Sequence, residues 1–156
     1  MNFYTFLLEK NAILTISLTA WLTAQVLKTI INCILMKKFQ AERLWGAGGM
    51  PSSHSALVCS MTIAAGRSLG FSSPVFAIAV VMALIVMYDA MGVRRAAGEQ
   101  AKVLNQIIFD WMDANPALFS NEKQNKQLKE MLGHTPTEVL SGALLGIFFG
   151  FVIPLA

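Results

Sequence analysis

The chain has two histidines, His54 and His134, and each lies in a short segment that is unusually polar or glycine-rich for its surroundings. The first segment is Gly48-Gly49-Met50-Pro51-Ser52-Ser53-His54-Ser55-Ala56, and the second is Gly133-His134-Thr135-Pro136-Thr137-Glu138-Val139. A third, Asp89 to Gln100, has no histidine but carries Arg94 and Arg95. In the first segment a glycine turn and Pro51 lead into a helix start at Ser52, Ser53 and His54. Free backbone N–H groups and a partial positive charge make such a start a ready site for an anion. The plainer alternative is that Ser52 or Ser53 only caps the helix and His54 is an interfacial polar side chain.

In the last segment, Thr135-Pro136-Thr137-Glu138 has the form of a capping box with proline at the first helical position. His134 and Glu138 also stand four residues apart, so a carboxylate–imidazole pair is the competing reading. That pair would fix one tautomer and leave the other ring nitrogen as nucleophile or base. Arg94 and Arg95 project about 100° apart on a helix, so they serve different faces. Arg95 pairs with Glu99 one turn on, which leaves Arg94 as the better bidentate phosphate ligand. Asp89 closes an apolar run, a costly position unless a cation or water meets it, and Arg43 or Lys38 is the expected partner. Acidic ligands are too few for a metal site, and no cofactor is expected.

These segments must be held at the ends of membrane helices. Of 156 residues 55% are hydrophobic and 13% charged, against roughly 25% charged in a soluble domain. A chain this short cannot bury that much apolar surface by folding on itself, so the excess faces lipid. A net charge of +3 gives no reason to expect nucleic acid. Cys33 and Cys59 lie in apolar stretches and read as small core residues. The opening residues lack a basic start and a small-residue cleavage site, so no cleavable leader is expected.

Four apolar stretches are expected to span: Asn11 to Met36, Ser53 to Gly70, Pro74 to Met91, and Val139 to Ala156. The fold class is therefore all-α, a polytopic membrane helix bundle forming one domain over 1–156. Phe71-Ser72-Ser73-Pro74 is a tight turn that makes the second and third stretches antiparallel neighbours. The connections 37–52 and 92–135 then share one side of a cell membrane. Their lysines and arginines place that side in the cytoplasm. The third helix is expected to continue to Trp111 and break between Asp110 and Pro116. Ser120 to Leu132 reads as a short amphipathic helix ended by Gly133. Gly142, Gly146 and Gly150 recur at every fourth residue, and Gly66 and Gly70 repeat the spacing. Such a stripe packs helices closely, either within the chain or in a homodimer.

Taken together, the three segments resemble the divergent branch of the type 2 phosphatidic acid phosphatase family, the group related to vanadium-dependent haloperoxidases. The resemblance runs over nearly the whole chain. Pro51-Ser52-Ser53-His54 is similar to the family's Pro-Ser-Gly-His motif, whose histidine is the general acid. His134 with Glu138 is similar to the His-x-x-x-Asp ending of its last motif, whose histidine attacks phosphorus and whose carboxylate orients it. Asp89 through Gln100 resembles a segment characteristic of the divergent branch. The main family's arginine six residues before the nucleophile is here Leu128, and its lysine-to-Arg-Pro motif is absent. Arg94, Arg95, Arg43 and Lys38 are the cations available to take their places.

The resemblance implies a membrane-embedded phosphatase that hydrolyses a lipid phosphate monoester or diphosphate through a phosphohistidine on His134. Ser52, Ser53, Arg94, Arg95, Arg43, Lys38 and Asp89 would form the substrate site. One alternative is a lipid-phosphate binding or transport protein that keeps the anion site without turnover. Another is a structural subunit assembled through its glycine-spaced helices.

Overall fold

In the computed structural model, residues 3–36, 49–114, 128 and 133–155 are described. Regular structure among them is entirely helical: α1 (Phe3–Met36), α2 (Ser53–Leu69), α3 (Pro74–Met91), α4 (Val93–Ala114) and α5 (Pro136–Val152). Lys38, Arg43 and the helix expected over Ser120 to Leu132, apart from Leu128, lie outside the described residues.

Helix boundaries follow local chemistry. Asn11 interrupts α1 with a non-helical backbone, and its side-chain Oδ1 accepts the Leu14 N–H at 3.0 Å. The apolar segment therefore starts on its own cap at the residue where the sequence places it. Ser73 caps α3 just after the turn, accepting from the Phe76 N–H, and proline follows within the first turn. Gly92 breaks the path between α3 and α4. The helix beyond it runs to Ala114, past the break expected from Asp110, since Asp113 sits on its last turn without interrupting it.

The distribution of side chains is that of a protein in lipid. In α1, Leu14, Leu18, Leu22 and Val26 are exposed at every fourth position, whereas Ile16, Ala20 and Ala24 are fully buried. Along α3, Val75, Ile78, Val81, Met82 and Ile85 are exposed. Inward faces are made of small residues and outward faces of large apolar ones, the reverse of what water selects. Two stretches, Glu9–Ile34 and Pro74–Ala114, are long and apolar enough to cross a membrane. The apolar α5 is shorter at 17 residues, as is α2.

α2 is the central helix, packed on α1, α3 and α5. Its Thr62 hydroxyl donates to Ala79 O of α3 at 3.2 Å. Against α5 the two backbones are in direct contact. A methyl on Gly142 would lie 2.2 Å from Ser52 O, and one on Gly146 would lie 2.4 Å from Ala56 O. A methyl on Gly150 would meet the Ile63 side chain at 2.6 Å. Gly142, Gly146 and Gly150 thus pack within the chain, against α2. Successive contacts ascend both helices together, so α2 and α5 are parallel. At the far end the Arg67 guanidinium donates to the carbonyls of Gly150 and Ile153, closing the C-terminus of α5 with a cation.

This seam predicts that Gly146→Ala destabilises the fold strongly. Overpacking commonly costs about 1–3 kcal/mol, and here the obstacle is backbone, so the loss should reach at least the upper part of that range. Leu144→Ala, at an exposed position, should have a much smaller effect. Graded denaturation in detergent compares the two, and equal losses would show that the seam does not hold the bundle.

Candidate functional site: two histidines at neighbouring helix starts

Because α2 and α5 run parallel and in contact, their N-termini open at the same end. The Ser52 N–H donates to Glu138 O at 2.9 Å, tying the two starts together. The segment before α5 is fixed at a second point, where the His134 N–H donates to Ala90 O at 2.9 Å. Gly133 makes this docking feasible. Its φ is +83°, and a Cβ there would lie 2.4 Å from the Arg95 backbone nitrogen. Only glycine accepts both the left-handed backbone and so close an approach. His134 is thereby held against the α3–α4 joint, beside Arg94.

His54, Val86, Asp89, Ala90, Arg94 and His134 line a pocket of about 50 Å³. The two imidazoles meet edge to face with centroids 6.0 Å apart. His54 is exposed, whereas His134 is buried, with neither ring nitrogen hydrogen-bonded to protein. Buried polar atoms are nearly always paired, so an unsatisfied imidazole facing a small polar pocket calls for a ligand or a reaction. Burial pushes the His134 pKa below the ordinary histidine value. Glu138 opposes that shift, while the charges of His54, Lys28 and Arg94 reinforce it. The neutral ring is therefore favoured, the form that can act as a nucleophile.

Arg94 and Arg95 separate as their helical positions predict. Arg95 Nε donates to Glu99 Oε1 at 3.1 Å, away from the pocket. Arg94 lines the pocket. Among the described residues Asp89 pairs with Arg94; the expected partners, Arg43 and Lys38, lie outside the described residues. Asp89 and Arg94 flank the joint between α3 and α4 at Gly92, which brings their side chains together.

Glu138 takes the capping role. Its carboxylate accepts the Thr135 N–H at 3.0 Å, and the Thr135 hydroxyl accepts the Glu138 N–H. The His134–Glu138 hydrogen bond is not formed, because the carboxylate is turned to its own helix start. Glu138 still acts on the ring through its charge. Ser52 is likewise a cap, its Oγ accepting the Ser55 N–H and hydroxyl. Ser52 and Ser53 are buried and stand outside the pocket lining. Leu128 has its backbone bound on both sides by the Asn105 amide, so that position anchors the connection to α4.

Lys28 is the site residue that motif reasoning misses. It is 2% exposed on α1, its stem runs close beside Gly49, and its charge reaches both histidines. The signal was present in the sequence: a lone lysine inside an otherwise apolar span marks function by default.

The chain matches the Divergent PAP2 family over residues 9–149, a span that contains Lys28, both histidines, Asp89, Arg94 and Glu138. It is 43% identical over 143 residues to the membrane protein YuiD of Bacillus subtilis (strain 168), covering 88% of this chain and 90% of that protein. No solved structure matches.

The two arginines give a direct check of the pocket. Arg94→Ala should weaken vanadate binding by about 1.5–3 kcal/mol, the range for a hydrogen bond to a charged group. Removing Arg94 also leaves the Asp89 carboxylate facing the anion, which adds to the loss. Arg95→Ala should cost about 0–1 kcal/mol, as for an exposed pair. Isothermal titration of both variants tests this, and equal losses would reject the assignment of faces.

Proposed function

This chain belongs to the divergent PAP2 family, and on that premise we propose that it is a membrane-embedded phosphatase acting on a lipid phosphate monoester or diphosphate. The observation that carries the reading is the convergence of two imidazoles and Arg94 on one small pocket, with both ring nitrogens of the buried histidine unpaired. Four helices, α1, α2, α3 and α5, span the cell membrane. The connections around 37–52 and 92–135 face the cytoplasm, as their basic residues favour. A single cysteine introduced by Gln100→Cys should resist a membrane-impermeant thiol reagent in intact cells. Rapid modification there would place the site outside.

The phosphoryl group rests between the histidines, its charge met by Arg94, Lys28 and the start of α2. Reacting atoms in a productive complex stand about 3–3.5 Å apart, and both rings line the small pocket in which they would meet the phosphoryl group. A neutral His134 nitrogen attacks phosphorus and forms a P–N bond. The bond to the leaving oxygen breaks, its electron pair stays on that oxygen, and His54 delivers the proton. Glu138 stabilises the imidazolium character of His134 by its charge. Water, deprotonated by His54, then attacks phosphorus and releases inorganic phosphate, restoring His134.

A second reading, anion binding or transport without turnover, is favoured by one observation: the carboxylate that should orient His134 caps α5 instead. Phosphate release from a panel of lipid phosphates separates the two.

The roles of the histidines predict different defects. His134→Ala should abolish turnover and any acid-labile phosphoenzyme. His54→Ala should slow hydrolysis of alkyl phosphates by roughly 10²–10⁴-fold, the usual worth of a general acid. It should spare aryl phosphates, whose leaving oxygen needs little protonation. Because the His134 pKa is lowered in the folded protein, the acid limb of kcat/KM should fall below pH about 6.5. Label trapped on His54, or turnover in His134→Ala, would exclude this mechanism.

A further inference from the structure

Beside the histidine pocket lies a much larger apolar groove of about 840 Å³, bounded by α3 and the first half of α5. Leu84, Ile85 and Met87 form one wall, and Val139, Leu140 and Ala143 the other. We propose that this groove holds the hydrocarbon chain of the phosphate-bearing substrate, which slides in sideways from the bilayer; the proposal rests on the phosphatase reading above.

Three features of the groove support that occupant. First, it borders the catalytic pocket: Asp89 lines both cavities, and Pro136, two residues after His134, lines the groove. Second, the two cavities divide the substrate by chemistry. The pocket of about 50 Å³ is small and lined by two imidazoles, Asp89 and Arg94, which suits a phosphoryl head better than a long alkyl chain. The neighbouring space is lined mostly by apolar side chains, with Asp89 its one charged residue and Tyr88 its one hydroxyl among the described residues, and its volume is in the range of about 300–1,000 Å³ usual for ligand sites. A sugar or glycerol head would leave its hydroxyls unpaired there, whereas an alkyl or isoprenyl chain would not. Third, the groove opens on the lipid-facing side, since Leu84, Ile85 and Leu140 are each more than half exposed. α3 and α5 touch one another only lightly, so a chain can pass between them.

Asp89 at the junction has a definite effect. Its carboxylate would repel phosphate, but Arg94 holds it in an ion pair at the edge of the pocket. The charged boundary between the two cavities keeps the head group on the histidine side and the chain on the other.

The test fills the groove without touching the core. Ile85→Trp and Leu140→Trp add bulk at exposed positions inside it, and Ile78→Trp adds the same bulk to exposed α3 surface outside it. Hydrolysis of hexadecyl phosphate and of chainless p-nitrophenyl phosphate is then compared in detergent. The groove variants should lose on the order of tenfold or more in kcat/KM for hexadecyl phosphate, as pocket misfits commonly do. They should keep the p-nitrophenyl activity, and Ile78→Trp should keep both. Equal effects on the two esters, or an equal effect of Ile78→Trp, would overturn the groove while leaving the phosphatase reading intact. If the unaltered protein cleaves neither ester, that reading fails. The groove is then judged by photolabelling with a hexadecyl phosphonate bearing a chain diazirine. Label within 84–91 and 139–143 supports the site, and label confined elsewhere refutes it.

Discussion

Contact between the Ser52 carbonyl and Gly142 is the constraint on which the rest depends. Two helix backbones can approach this closely only where one has no side chain, and the stripe at Gly142, Gly146 and Gly150 supplies that freedom along three turns. Close approach fixes the relative height of α2 and α5, and their parallel course puts both N-termini at one end. A pair of antiparallel helices would have sent His54 and His134 to opposite ends of the bundle. The site therefore follows from a packing rule before any polar interaction is considered. Arg67 at the other end of the seam reinforces the same register by binding the last carbonyls of α5.

Polar groups gathered at that end are expensive in a membrane protein, which is why their identities are informative. Lys28 is buried on α1, His134 is buried without a hydrogen-bonding partner, and Arg94 is already paired with Asp89. A buried cation near two imidazoles destabilises the protonated rings. On the proposed phosphatase reading, a phosphoryl group would meet the positive charge, lie at a helix start and give the unpaired imidazole of His134 an atom to attack. The large apolar groove beside the small polar pocket extends the same logic to the rest of the substrate.

Much of this was legible in the sequence. The start of the first apolar stretch at Asn11, the turn before Pro74, the capping box at Thr135 and the separate faces of Arg94 and Arg95 all follow from local spacing, and the structure draws each of them. Glu138 was ambiguous because one carboxylate could serve either its own helix start or His134, and only the three-dimensional path of the loop decides which. Lys28 could not be placed from motifs because it acts across the bundle, from a helix that precedes the site by more than twenty residues. The pairing of Asp89 with Arg94, five positions on, was not read from the sequence because it forms across the joint between α3 and α4.

The central claim is that α2 and α5 together build one anion site in which His134 bonds to phosphorus. An experimental structure of the protein with vanadate tests it most directly. The account predicts five-coordinate vanadate bonded to a ring nitrogen of His134, with Arg94 and Lys28 around its oxygens and His54 at the apical oxygen opposite. Vanadate bonded to His54, or bound away from both histidines, would contradict it.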